Sequence, residues 1–226
     1  MNFRSLFPLL AAIFVGLGSA WAASIERASL PSVFFSLVAV ESTALGVGLV
    51  SLRPWARLTD AWYPKWGDLR NGFLVAVFAW AGATLAARTF AGSGAFDANL
   101  LRIYLQAGPV GAHPSPAFVV GILAVAALEE TVWRWLVPRA LEAFVSTRIS
   151  WVISALLFAV AHIPAAFVMA IQGTPNLLLP GAVLGLALLL GALAAATGRI
   201  APGFVAHVFI DVALLGPFPL FQLGVD

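Results

Sequence analysis

The chain is built from apolar stretches of nearly uniform length. About seven of them approach the ~20 residues an α-helix needs to cross the hydrocarbon of a bilayer. They lie near Leu6–Ala23, Leu30–Leu52, Gly72–Phe90, Ala117–Val137, Ile149–Ile171, Leu177–Thr197 and Pro202–Phe221. Lipid offers backbone N–H and C=O groups no hydrogen-bond partners, so runs of this length must satisfy them internally, as helices. Composition agrees. The chain is 62% hydrophobic and 10% charged, with a mean hydropathy of +0.99, against about 45–50% and about 25% for a soluble domain. The expected fold is all-α, a polytopic membrane helix bundle of about seven transmembrane helices. The intervals are short and no fixed-period repeat or low-complexity tail occurs, so residues 1–226 read as one integral membrane domain.

The chain has no cysteine, which excludes disulfides, a thiolate nucleophile and Cys-ligated zinc. The net charge of +2 comes from scattered basic residues in short loops, with no patch suited to nucleic acid. Residues 1–23 read as a first helix in preference to a cleaved signal peptide, although Ala20-Trp21-Ala22 has the small-residue pattern of a cleavage site. Lys and Arg set the orientation. Placing Arg53, Arg57, Lys65 and Arg70 in the cytoplasm also puts Arg4, Arg139, Arg148 and Arg199 there, and leaves Arg27, Arg88 and Arg102 opposite. This gives a multi-pass protein of the inner or plasma membrane, N-terminus cytoplasmic and C-terminus outside. Trp55, Trp62, Tyr63 and Trp66 among those arginines suit a segment at the headgroup interface. The interval Ala91–Pro116, which holds His113, reads as an outer loop with a short interfacial helix at Asn99–Gln106.

Several ionisable residues lie inside the apolar runs. Each costs at least ~2.5–3.5 kcal/mol at bilayer depth, so such groups usually face a protein interior and have a task. Glu129 and Glu130 are adjacent in Leu128–Pro138. Arg134 follows Glu130 by one helical turn and reads as its structural ion-pair partner. Glu129 points about 100° away, is left unpaired and becomes the candidate base. His162 sits before Pro164 in mid-segment, where a structural hydrogen bond and a functional role weigh evenly. His207 and Asp211 share a helix face, so Asp211 can orient the imidazole. At ~1.5 Å of rise per residue, these side chains from three segments reach one layer in the cytoplasmic half of the bilayer. Glu41 is the remaining intramembrane acid and reads as structural.

This set suits hydrolysis. Glu129 takes a proton from water, His162 and His207 stabilise a developing oxyanion, and Asp211 orients His207. Two histidines and a glutamate are also a catalytic zinc set, so Glu129, His162 and His207 would be the ligands if zinc were used. No Gly-x-Ser-x-Gly elbow accompanies them.

Glu129-Glu130-x-x-x-Arg134, Phe158-x-x-x-His162 and His207-x-x-x-Asp211, in this order and each in an apolar segment, resemble the three motifs of the CPBP intramembrane proteases. That family includes the type II CAAX prenyl proteases and many bacterial Abi proteins. The likeness covers a motif-bearing core within residues 117–221. It implies a helix bundle with a membrane-embedded cavity, and an endopeptidase acting on a membrane-associated protein or peptide. It also implies catalytic roles for Glu129, His162, His207 and Asp211, supported by Glu130, Arg134 and Phe158. The family has been described both as metalloproteases and as glutamic proteases; the metal-free glutamic reading is preferred, with no cofactor. The prenyl proteases carry Asn where this chain has Asp211, a position at which bacterial members commonly have Asp. An ionised aspartate cannot donate to an oxyanion, so that role would need a protonated Asp211 or pass to His207. The prenyl substrate does not carry over with the resemblance. A proton-coupled transporter would use the same residues as a relay. A catalytically inactive binding or immunity protein would use them to hold a partner.

Overall fold

The computed structural model describes residues 3–24, 30–52, 55–90, 92–107 and 116–215, all but a few turns of which are helical. His113 and the end of the last apolar run lie outside the described residues. The helices are α1 (Phe3–Ser24), α2 (Leu30–Leu52), α3 (Trp55–Trp62), α4 (Asp68–Phe90), α5 (Gly94–Ala107), α6 (Pro116–Thr131), α7 (Val137–Leu141), α8 (Thr147–Ala161), α9 (Ile163–Val168), α10 (Leu178–Thr197) and α11 (Ala201–Leu215). A π-helical turn, Val132–Leu136, joins α6 to α7.

The fold is the all-α membrane helix bundle expected. Five stretches are long and apolar enough to cross a bilayer: Leu6–Ser24, Phe35–Leu52, Asp68–Phe90, Thr147–Val168 and Leu178–Thr197. Two of the seven sequence segments fall outside that set for physical reasons. The α6–α7 segment is interrupted by the π turn and carries Glu129, Glu130, Arg134 and Arg139. The apolar part of α11 is short, Ala201–Ala213. Leu17, Phe35, Val50, Phe78, Leu85 and Val120 are exposed, the pattern of helices solvated by lipid.

The core gathers around the π turn. Trp133 is the largest fully buried side chain, and it packs with Phe7, Ala11 and Val15 of α1, Ala44 of α2, Ala155 and Phe158 of α8, and Ile200. Ser19 of α1 donates to the carbonyl of Ala161 at 3.0 Å, tying the first helix to the end of α8. Helix α4 lies close against α11: a Cβ on Gly72 would stand 2.6 Å from the carbonyl oxygen of Pro202. Only glycine permits that approach.

The interval expected at the headgroup interface forms α3 and the turn after it. Its apolar side is docked, with Ala61 buried and Leu58 and Trp62 against the core, while Asp60, Tyr63 and Trp66 are exposed. Two contacts fasten it to the α10–α11 turn: Ile200 N–H donates to Ala61 C=O at 2.9 Å, and Arg199 pairs with Asp68 at 2.6 Å. That turn forms because Gly198 takes up φ +67, a left-handed helix end that suits a residue without Cβ. The cationic loops holding Lys65 and Arg199 therefore share one end of the bundle. The short helix expected at Asn99–Gln106 is present as the longer α5, held where Asn176 Nδ2 donates to Asn99 C=O at 2.9 Å.

Candidate active site

Glu129 and Glu130 close α6. Their separation in angle along the helix survives in the tertiary structure: Glu130 is completely buried, whereas the side chain of Glu129 keeps 12% of its surface exposed. Both reach the same imidazole. His207 Nδ1 donates to Glu130 Oε1 at 3.0 Å, and His207 Nε2 stands 3.5 Å from Glu129 Oε2 and 3.6 Å from Asp211 Oδ2. Asp211 is the most open member, with its side chain 21% exposed. One ring thus sits among three carboxylates, its buried edge on Glu130 and its accessible edge between Glu129 and Asp211.

From spacing alone, Asp211 is expected to orient the ring and Glu130 to pair with Arg134. The structure holds both contacts and adds one from Glu130 to the ring. The Arg134 contact exists, with Nε 3.5 Å from Glu130 Oε1, but that same oxygen also receives the proton of His207 Nδ1. Asp211 faces the opposite nitrogen, beside Glu129. The i, i+4 spacing placed His207 and Asp211 on one face and said nothing of which ring nitrogen each would meet.

Gly203 makes the meeting of α6 and α11 possible. It lies one turn before His207, and a Cβ there would stand 2.6 Å from Glu130 Oε2. Glycine at that place lets α11 close onto the carboxylate. Its position four residues before His207 is a signal that the sequence contained and motif reading passed over.

His162 is held differently. Helix α8 ends at His162, and α9 restarts immediately with Pro164 in its first turn, because proline has no N–H to continue the α8 ladder. The imidazole Nδ1 donates to the Phe158 carbonyl at 2.9 Å, and the ring meets Phe158 edge-on at 4.7 Å. Phe158 in turn packs on Trp133 at 5.0 Å and lies under the Arg134 guanidinium at 5.1 Å. His162 makes no hydrogen bond or ion pair to Glu129, His207 or Asp211, and joins them through the Phe158 ring and the Coulombic reach of Arg134 and His207. With Nδ1–H committed to a carbonyl, the neutral ring offers an acceptor at Nε2.

A zinc ion would draw on Glu129, His162 and His207. His162 is turned to Phe158, and no group of three His, Asp or Glu side chains among the described residues is placed to hold a metal ion.

The π turn shapes the rest. It shifts the helix phase just after Glu130, with Val137 N–H reaching back to Val132 C=O. Ser154 of α8 donates to the Trp133 carbonyl at 2.5 Å. Trp62 of α3 spans α6 and α11: its indole N–H donates to Thr131 Oγ1 at 3.1 Å, and its ring meets Phe204 edge-on at 5.4 Å. Sequence alone does not mark Trp62, Thr131, Ser154 and Trp133, because each is an ordinary membrane-helix or interface residue until the helices are assembled.

A multi-pass helix bundle here holds a buried centre of carboxylates and an imidazole, groups that hydrolysis can use. The family model described as "Type II CAAX prenyl endopeptidase Rce1-like" matches residues 111–213, the part that carries all three motifs. That part of the chain is similar to the CAAX prenyl endopeptidase family, a likeness that supports in general terms a membrane-embedded endopeptidase. No curated protein and no solved structure matches the chain.

Proposed function

We propose that this protein cleaves a peptide bond of a membrane-associated protein or peptide with Glu129 as general base, without a metal or cofactor. The observation that carries the reading is the double engagement of His207, 3.0 Å from Glu130 and 3.5 Å from Glu129. A water beside Glu129 gives up its proton to that carboxylate while its oxygen attacks the scissile carbonyl carbon. The carbonyl oxygen takes the charge, and an Nε2–H of His207 is the donor that stabilises it. Glu129 then passes its proton to the leaving nitrogen as the C–N bond breaks, which restores the carboxylate. Glu130 fixes the ring of His207 through Nδ1. Asp211, an acceptor when ionised, steadies Nε2–H and does not itself donate to the oxyanion. His162 serves as a proton acceptor at Nε2, which leaves oxyanion stabilisation to His207. The partial exposure of Glu129 and Asp211 supports entry of water and substrate from their side. The loops containing Lys65, Arg70, Arg139 and Arg199 face the cytoplasm in this reading.

The test compares protein termini in membranes that carry wild-type protein with those that carry Glu129→Gln. Wild-type membranes gain new termini in specific membrane proteins. Glu129→Gln loses them, with a rate fall of about 10²–10⁴-fold as expected for removal of a positioned base, while the variant still inserts. Cleavage persists after chelation. Normal processing by Glu129→Gln would defeat the proposal, and activity that is lost on chelation and regained with zinc would replace the metal-free mechanism.

A further inference from the structure

Glu41 is a carboxylate with no place in the mechanism above. It stands in α2, within a candidate membrane span and outside the family match, and it is 1% exposed. A buried ionisable group in such a helix is costly enough to need a reason. One oxygen has a partner: Trp133 Nε1–H donates to Glu41 Oε1 at 3.4 Å. The other, Oε2, has no hydrogen-bond partner among the described residues. A purely structural need for an indole acceptor would be met at far lower cost by a neutral side chain. The carboxylate also lies within Coulombic range of Glu129, Arg134 and His207.

Trp133 is the residue through which Glu41 meets the site. It lies in the π turn between Glu130 and Arg134, and it is held at two points, its carbonyl by Ser154 of α8 and its indole by Glu41 of α2. Its ring packs on Phe158, which bears on both His162 and Arg134. A shift of the indole would therefore move the aromatic support of His162 and the cation beside Glu130 together. We propose that Glu41 is a positioning residue of the active site, which sets the π turn through the Trp133 indole and thereby the placement of Arg134, Phe158 and His162. The functional part of this inference rests on the protease reading; the geometric part does not.

The test uses full-length protein in lipid nanodiscs, with the indole of Trp133 and the imidazoles of His162 and His207 followed by nitrogen NMR, alongside cleavage in membranes. Glu41→Leu is expected to shift the Trp133 indole resonance and those of His162, and to lower cleavage by about tenfold or more, the scale of a small misplacement of reacting groups. Glu41→Gln keeps an oxygen acceptor and is expected to return both readouts towards wild type. Trp133→Phe should match Glu41→Leu, and the double variant should lose no more than either alone, since both act through one contact. The resonance shifts are also expected in a Glu129→Gln background, where no cleavage is measured, so failure of the protease reading leaves this arm intact. Unmoved histidine resonances in Glu41→Leu would overturn the proposal, as would independent, additive losses in the double variant. If Glu41→Leu does not fold, the Glu41→Gln and Trp133→Phe pair decides. A Trp133→Phe variant with wild-type histidine resonances sinks the idea.

Discussion

At the scale of single residues, the site depends on how closely a carboxylate and a helix backbone can approach. Glu130 is buried against Gly203, and its oxygen serves both His207 and Arg134. Gly203→Ala places a methyl 2.6 Å from Glu130 Oε2, so either the carboxylate or α11 must move. The expected cost is about 1–3 kcal/mol of stability, as for other overpacked sites, with a larger fall in cleavage because the Glu130–His207 contact opens. Gly181→Ala is the control, since a Cβ there meets nothing within 4 Å. Thermal unfolding and cleavage measured side by side check this; a Gly203→Ala variant as stable and active as Gly181→Ala would show that the approach is not needed.

At the scale of elements, α6 and α11, which carry the candidate site, are bridged by a segment that carries none of the three motifs. Helix α3 is fastened to the α10–α11 turn by Ile200–Ala61, and the start of α4 by Asp68–Arg199; from α3, Trp62 reaches Thr131 of α6 and Phe204 of α11. Trp62→Phe keeps the edge-on ring contact and loses the hydrogen bond; Trp62→Leu loses both. An aromatic pair is worth about 0.5–1.5 kcal/mol beyond its buried area, and a hydrogen bond about as much. Cleavage is therefore expected to fall stepwise, wild type above Trp62→Phe above Trp62→Leu, with Thr131→Val close to Trp62→Phe. Equal activity in all four proteins would mean that α3 only covers the bundle.

At the scale of the whole molecule, the bundle has two distinct ends. The α3 segment and the α10–α11 turn meet at one end, while α5 and the loop at Asn176 meet elsewhere through the Asn99 carbonyl. The absence of cysteine makes orientation simple to read. Asp60→Cys and Ala95→Cys each introduce a single thiol at an exposed position. A membrane-impermeant maleimide added to intact cells is expected to label Ala95→Cys and to reach Asp60→Cys only after the membrane is opened. The reverse pattern would invert the proposed topology and move the candidate site to the other half of the bilayer.

Much of this was legible in the chain itself. Uninterrupted apolar runs dictate membrane helices because the solvent leaves backbone groups no other partner. The cost of charge in lipid singles out Glu129, Glu130, Arg134, His207 and Asp211 before any helix is placed. Helical spacing also foretold the Glu130–Arg134 contact, since i, i+4 neighbours meet whatever surrounds them. Contacts between helices distant in sequence obey no such period. Which nitrogen of His207 faces Glu130, the turning of His162 to Phe158, the service of Gly203 to a carboxylate on α6 and the bond from Glu41 to Trp133 were decided by how the helices cross. The π turn belongs to that class as well. It shifts the phase of the helix beyond Glu130 and is secured by Ser154 and Glu41, which stand on two other helices, so only the assembled bundle determines where Trp133 and Arg134 point.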